Sequence, residues 1–289
     1  MRFGLSTHLF HGERLERRHL EAIADAGFAE VELFATRSHL DYHDRGRVHE
    51  VRGWLEELGL SAGSMHGPIC ESFTDGAWGR AFSIASPDTA RRQEALEEMR
   101  TALDAARVLG CTAMVVHPGL PDGQPIPAGD NDARALGRSL ETLVRAAADA
   151  GVRLALELIP NALSTAEVLA DLLDADVKLG DTGICLDLGH AHMMGGVSDA
   201  AERLGGAIVT THVHDNNSRE DSHLVPFQGT IPWPESMAAL WKVGYDGALV
   251  FEVADRGDAA AVLRRTVGAR DRLQAILDDL AAPLTFAEG

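Results

Sequence analysis

Residues 150–160 read Ala150-Gly151-Val152-Arg153-Leu154-Ala155-Leu156-Glu157-Leu158-Ile159-Pro160, and the phase of this run decides the fold. The glycine can close a preceding helix in the left-handed conformation. The residues after it alternate with period two: Leu154, Leu156 and Leu158 share one face, Ala155 and Glu157 the other. The leucine face suits packing under helices. The opposite face is narrow, looks into a confined interior and ends on a carboxylate.

The same unit recurs in both directions. Ala26-Gly27, Leu58-Gly59 and Leu109-Gly110 each close an amphipathic segment and lead into a β-like run. The spacing predicts strands over 3–8, 28–34, 60–66, 111–117, 152–158, 183–187, 207–213 and 247–252. The clearest helix covers 89–109, where Leu96, Met99, Leu103 and Ala106 share a face. Strands alternating with helices imply an α/β protein with a parallel sheet and right-handed crossovers. Closing eight strands removes both sheet edges, so the expected fold is a single (β/α)8 TIM barrel, one domain over 1–289. An open doubly wound sheet is the competing arrangement. Its phosphate-cradling glycines are missing from the first turn, Ser6-Thr7-His8-Leu9-Phe10-His11-Gly12. Segments 118–130 and 214–232 read as long loops after strands four and seven, where function concentrates.

Composition fits a soluble globular protein: 45% hydrophobic and 24% charged residues. The formal charge of -18 repels polyphosphate, which disfavours nucleic acid and favours cations. Cys70, Cys111 and Cys185 are odd in number and widely spaced, so a disulfide framework is not expected and a cytoplasmic setting is. No signal peptide or membrane-spanning run is read. Trp54 and Trp241 read as helix packing, and a homo-oligomer stays open.

The polar residues that end the strands carry the chemistry: His8, His66, His117, Glu157, Asp187, His212 and Glu252. Each takes the last inward position of its strand. Taken singly, such residues are ordinary caps or packing groups. Together, three carboxylates aimed at one axis would repel, and a divalent cation removes that repulsion. Asp187-Leu-Gly-His190, His212-Val-His214-Asp215 and Asp221-Ser-His223 add carboxylate–imidazole pairs. His11, His19, His39, His43 and His49 lack strand phase and read as packing or surface residues. His192 and His214 are undecided, with His214 a candidate to support a ligand.

This ordered set, with His66-Gly-Pro, Val116-His117-Pro-Gly, Asp187-Leu-Gly-His190, Gly229-Thr-Ile-Pro-Trp233 and Phe251-Glu252, resembles the xylose-isomerase-like barrel superfamily over nearly the whole chain. That group includes sugar and sugar-phosphate isomerases and epimerases, inosose-type dehydratases and endonuclease IV. Resemblance to its ketose 3-epimerases implies one metal ion held by Glu157, Asp187, His212 and Glu252. It also implies Glu157 and Glu252 as an acid/base pair on opposite faces of a small sugar, keto-sugar or sugar phosphate, working through an enediolate. His190 and a loop arginine would bind substrate. Arg219 is the nearest candidate, one residue farther from His212 than the pattern asks. Mn2+ or Mg2+ suits the carboxylate-rich set, with Zn2+ or Co2+ as alternatives.

Resemblance to endonuclease IV implies instead a zinc phosphodiesterase acting at abasic DNA. His66, His117, Glu157, Asp187, His190, His212, Asp221, His223 and Glu252 all match its ligands. The chain departs from that pattern at its opening, Gly4-Leu-Ser-Thr-His8, which lacks a Gly-Gly turn. It departs again around Tyr42, which sits among Asp41, His43 and Asp44. A sugar dehydratase using the same site is the third reading.

Overall fold

The computed structural model describes residues 1–123, 131–175 and 179–282. Eight parallel strands close into a barrel: β1 (Arg2–Ser6), β2 (Glu30–Phe34), β3 (Ser61–His66), β4 (Ala113–Val116), β5 (Arg153–Glu157), β6 (Gly183–Asp187), β7 (Ile208–Val213) and β8 (Ala248–Phe251). They pair in sequence order, and β1 pairs with β8 to complete the ring. The expected (β/α)8 barrel is therefore the observed one, and the open-sheet alternative is excluded.

Helices α1 (Arg17–Asp25), α2 (Arg45–Leu58), α3 (Thr89–Leu109), α4 (Ala133–Ala150), α5 (Ala166–Ala175), α6 (Leu188–Met193), α7 (Val197–Leu204), α8 (Trp233–Lys242) and α9 (Ala259–Ala281) join the strands. Their ends follow local chemistry. Asp44, Asp88, Asp132 and Asp258 accept first-turn backbone N–H groups at the starts of α2, α3, α4 and α9. Gly59, Gly110 and Gly151 close α2, α3 and α4 at φ 67°, 82° and 67°, the left-handed values the sequence asked for. Among the described residues no helix is long and apolar enough to cross a membrane.

Leu154, Leu156 and Leu158 lie in the main core, as the alternation of β5 requires. The inward residues Val115, Ala155 and Cys185 form a separate small plug inside the barrel. The layer above that plug is polar, because Glu157 and Asp187 follow Ala155 and Cys185 by two residues. Asp187 stands level with His212 across the β6–β7 pair. Backbone pairing alone thus delivers the strand-end side chains to one face.

Some expected boundaries shift. β1 ends at Ser6, and His8 sits in a tight 3-10 turn over Thr7–Phe10, capped by the Ser6 hydroxyl. Part of the expected loop 118–130 falls on residues 124–130, outside the described residues. The loop after β7 runs to α8 and is pinned by Asp215, which pairs with Leu224 in a bridge. A short antiparallel hairpin, Phe73–Thr74 with Ala77–Trp78, lies beside the barrel mouth after β3.

Candidate metal centre and active-site cavity

Four strand-end groups converge at the C-terminal mouth. One ligand atom each from Glu157, Asp187, His212 and Glu252 falls within a common 4.8 Å. All four side chains are buried, at 1%, 0%, 0% and 3% exposure. His212 Nδ1 lies 3.1 Å from Glu157 Oε1, 3.3 Å from Glu252 Oε2 and 3.7 Å from Asp187 Oδ2. Two carboxylates 4.8 Å apart repel by about 3.5 kcal/mol at an effective dielectric near 20. Three of them repel one another here, and a cation would offset that repulsion. An imidazolium supplies part of the compensation: burial opposes a charge on His212, but the carboxylates of Glu252, Glu32 and Glu157 hold it well above the usual histidine range.

Among the described residues three more donor groups adjoin or overlap the first: His66, His117 and Glu157; His66, His212 and Glu252; and His190, His214, Asp221 and His223. Glu157 is shared by the first group and the one with His66 and His117. Its Oε2 accepts no hydrogen bond although His117 Nε2 approaches to 2.9 Å and His66 Nε2 to 3.4 Å. A buried carboxylate oxygen without a donor is costly, and a cation at this position satisfies it. The residues therefore fit a divalent metal, and the carboxylate-rich set with one imidazole is hard enough for Mn2+ or Mg2+.

The imidazoles are held as ligands usually are. His66, His190 and His223 each donate Nδ1–H to a main-chain carbonyl: Gly67 at 2.9 Å, Leu158 at 3.0 Å and Glu252 at 2.8 Å. This fixes the tautomer and leaves Nε2 facing the site. Asp187 is held from both sides, Oδ1 by the His190 backbone N–H at 2.7 Å and Oδ2 by His214 Nε2–H at 3.0 Å. His214 thus supports Asp187. Asp221 Oδ2 lies between His190 Nε2 and His223 Nε2, 3.1 Å from each. Burial works against a charge on His223, but the neighbouring Asp221 carboxylate outweighs it and lifts the ring to about 10. His223 adopts φ 42°, an unusual backbone for a non-glycine residue.

A cavity of about 380 Å³ opens above the donors. Glu157, His66, His117, His190, His223 and Glu252 line its floor, while Phe34, Phe73 and Trp78 form an apolar wall. The size suits a small molecule. Of the residues expected from sequence, Arg219 alone stays outside: it is exposed in the loop after β7 and is not part of the cavity wall. Sequence reasoning placed His11 among the packing residues, yet it lines the cavity, sandwiched between His8 at 4.5 Å and Trp78 at 4.9 Å. It also passed over Glu32, fully buried on β2 and 3.1 Å from His212 Nε2. The run Glu30-Val-Glu-Leu-Phe34 held the signal, a carboxylate in phase between two apolar residues.

The sequence profile of the xylose isomerase-like TIM barrel family matches residues 20–277. The chain belongs to that family. An uncharacterised protein of Methanocaldococcus jannaschii is 30% identical over 271 residues, spanning 90% of this chain and 86% of its own length. D-psicose 3-epimerase of Enterocloster bolteae is 24% identical over 251 residues, 82% of this chain and 76% of that protein. The crystal structure of a D-tagatose 3-epimerase-like protein superposes with a TM-score of 0.79, covering 97% of this chain and 98% of that one at 24% identity.

Proposed function

We propose that this protein is a divalent-metal-dependent epimerase or isomerase of a small keto-sugar. The observation that carries the reading is the convergence of Glu157, Asp187, His212 and Glu252 on one point, directly beneath a cavity of sugar size. The sugar 3-epimerases among its relatives support the same chemistry.

A bound cation would polarise the substrate carbonyl and stabilise the negative charge that develops on its oxygen. Glu157 and Glu252 come from β5 and from the end of β8, three strands apart, so they flank the cavity floor. One glutamate takes the proton from the carbon next to the carbonyl, leaving the electron pair in an enediolate. The other returns a proton to the opposite face, inverting the centre. His190 and His66 orient hydroxyls. The wall of Phe34, Phe73 and Trp78 excludes water and packs against the carbon skeleton.

The test is conversion of ketohexoses and ketopentoses in the presence of Mn2+, followed by chromatography. Glu157→Gln and Glu252→Gln should each lower turnover by about 10²–10⁴-fold, the usual span for an acid/base group. Full turnover in either variant would remove that residue from the role.

A second reading, a multinuclear zinc phosphodiesterase, is favoured by one observation: the two additional donor groups around His117 and around Asp221. The -18 charge weighs against DNA as substrate. Cleavage of an abasic-site duplex, with about three zinc ions per chain by elemental analysis, would select it. One ion per chain and no cleavage selects the epimerase. Substrate dehydration instead of inversion would identify the dehydratase variant of the same site.

A further inference from the structure

Glu32 is buried without any exposure inside the barrel and belongs to none of the donor groups. Its Oε2 accepts from the Ser64 hydroxyl at 2.8 Å and from His212 Nε2 at 3.1 Å. Its Oε1 has no hydrogen-bond partner. Burying a carboxylate costs several kcal/mol, and an unmatched oxygen adds to the cost. The backbone pairing of β2 with its neighbours does not need it. Stability therefore does not account for Glu32.

The orientation of His212 does. His66, His190 and His223 give Nδ1–H to a main-chain carbonyl and turn Nε2 to the site. His212 is reversed: Nδ1 faces Glu157, Asp187 and Glu252, and Nε2 faces Glu32. Its partner is also different in kind, a carboxylate reaching across the interior from β2. β1 and β8 lie between that strand and β7.

We propose that Glu32 is a positioning residue: it takes the Nε2–H of His212 and so commits the Nδ1 lone pair to the cation. A carboxylate partner also makes the ring a stronger donor than a carbonyl partner would. Ser64 holds Glu32 in place. This inference rests on reading the four-donor group as a cation site.

The experiment is calorimetric titration of the purified full chain with Mn2+ alone, on wild type, Glu32→Gln, Ser64→Ala and His212→Ala, each checked for folding by circular dichroism. Glu32→Gln keeps an oxygen for the hydrogen bond and removes the charge, so its Mn2+ Kd should rise about 10–100-fold. Ser64→Ala should weaken binding several-fold. In Co2+-loaded protein, both variants should change the visible absorption spectrum, which a structural role alone would not move. If Glu32→Gln does not fold, Ser64→Ala decides. Kd values within twofold of wild type in the folded variants, with binding lost in His212→Ala, would overturn the role of Glu32 and leave the metal site intact. A wild type that binds no Mn2+ would overturn the metal reading and this inference with it.

Discussion

Replacing His212 with alanine separates the contribution of the metal site to stability from that of the barrel. In the metal-free protein the ring stands 3.1–3.7 Å from three buried carboxylates. Its removal leaves them facing one another, and breaking a buried ion pair costs about 3–5 kcal/mol. For 289 residues, an unfolding entropy of about 2.1 cal/mol/K per residue sums to about 0.6 kcal/mol/K. The apo variant should therefore melt about 5–8 °C below apo wild type. Mn2+ at 100 times Kd adds about 2.7 kcal/mol to the wild type, a rise of about 4–5 °C. If loss of a ligand weakens binding by at least about 100-fold, the same Mn2+ concentration adds no more than about 0.4 kcal/mol to the variant, less than about 1 °C. Scanning calorimetry with and without Mn2+ reads both effects. Equal Mn2+-induced shifts in the two proteins, or none in wild type, would refute the four-donor site.

Three further outcomes follow from the same geometry. His39 is fully buried, donates Nδ1–H to the Glu13 carbonyl and leaves Nε2 without a partner; burial pushes its pKa down to about 4. The unfolded ring binds protons from about pH 6.5, so between 6.5 and 4 the unfolded state is favoured as pH falls. About 3 kcal/mol is lost across that window, and His39→Gln should show a correspondingly shallower fall of Tm with acid. Asp215 accepts from the backbone N–H groups of Asn216, Phe227 and Ile231 and from Trp233 Nε1–H, so Asp215→Ala orphans four donors. It should lower Tm by at least about 5 °C and raise amide exchange in the loop carrying Asp221 and His223. Trp78 is 46% exposed on the cavity wall and stacks on His11. Trp78→Ala should raise KM several-fold with little change in kcat, read from initial rates.

The barrel was legible because its cause is local. Period-two alternation and the glycine stops at Gly27, Gly59, Gly110 and Gly151 ahead of β2, β3, β4 and β5 lie within short stretches, and the alternation put Glu157, Asp187 and His212 inward before any pairing was known. The supporting contacts were not legible, because they join distant strands. Glu32 meets His212 across 180 residues of sequence, and nothing in Glu30-Val-Glu-Leu-Phe34 names its partner. His11 lacks strand phase because it sits just past a 3-10 turn, and only the hairpin bearing Trp78 makes it part of the cavity. Arg219, whose offset from His212 is one residue longer than the pattern asks, is exposed in the loop after β7.

Proton exchange at the substrate carbon tests the central claim most directly. Ketohexose incubated in D2O with the Mn2+-loaded protein should gain deuterium at the carbon beside the carbonyl, seen by NMR, together with the inverted epimer. Replacing by glutamine whichever of Glu157 and Glu252 faces the C–H of the ketose offered should abolish that label, and replacing the other should leave exchange but block inversion. No deuterium in any ketose offered to the Mn2+-loaded wild type, alongside cleavage of abasic DNA by the zinc-loaded protein, would contradict the account.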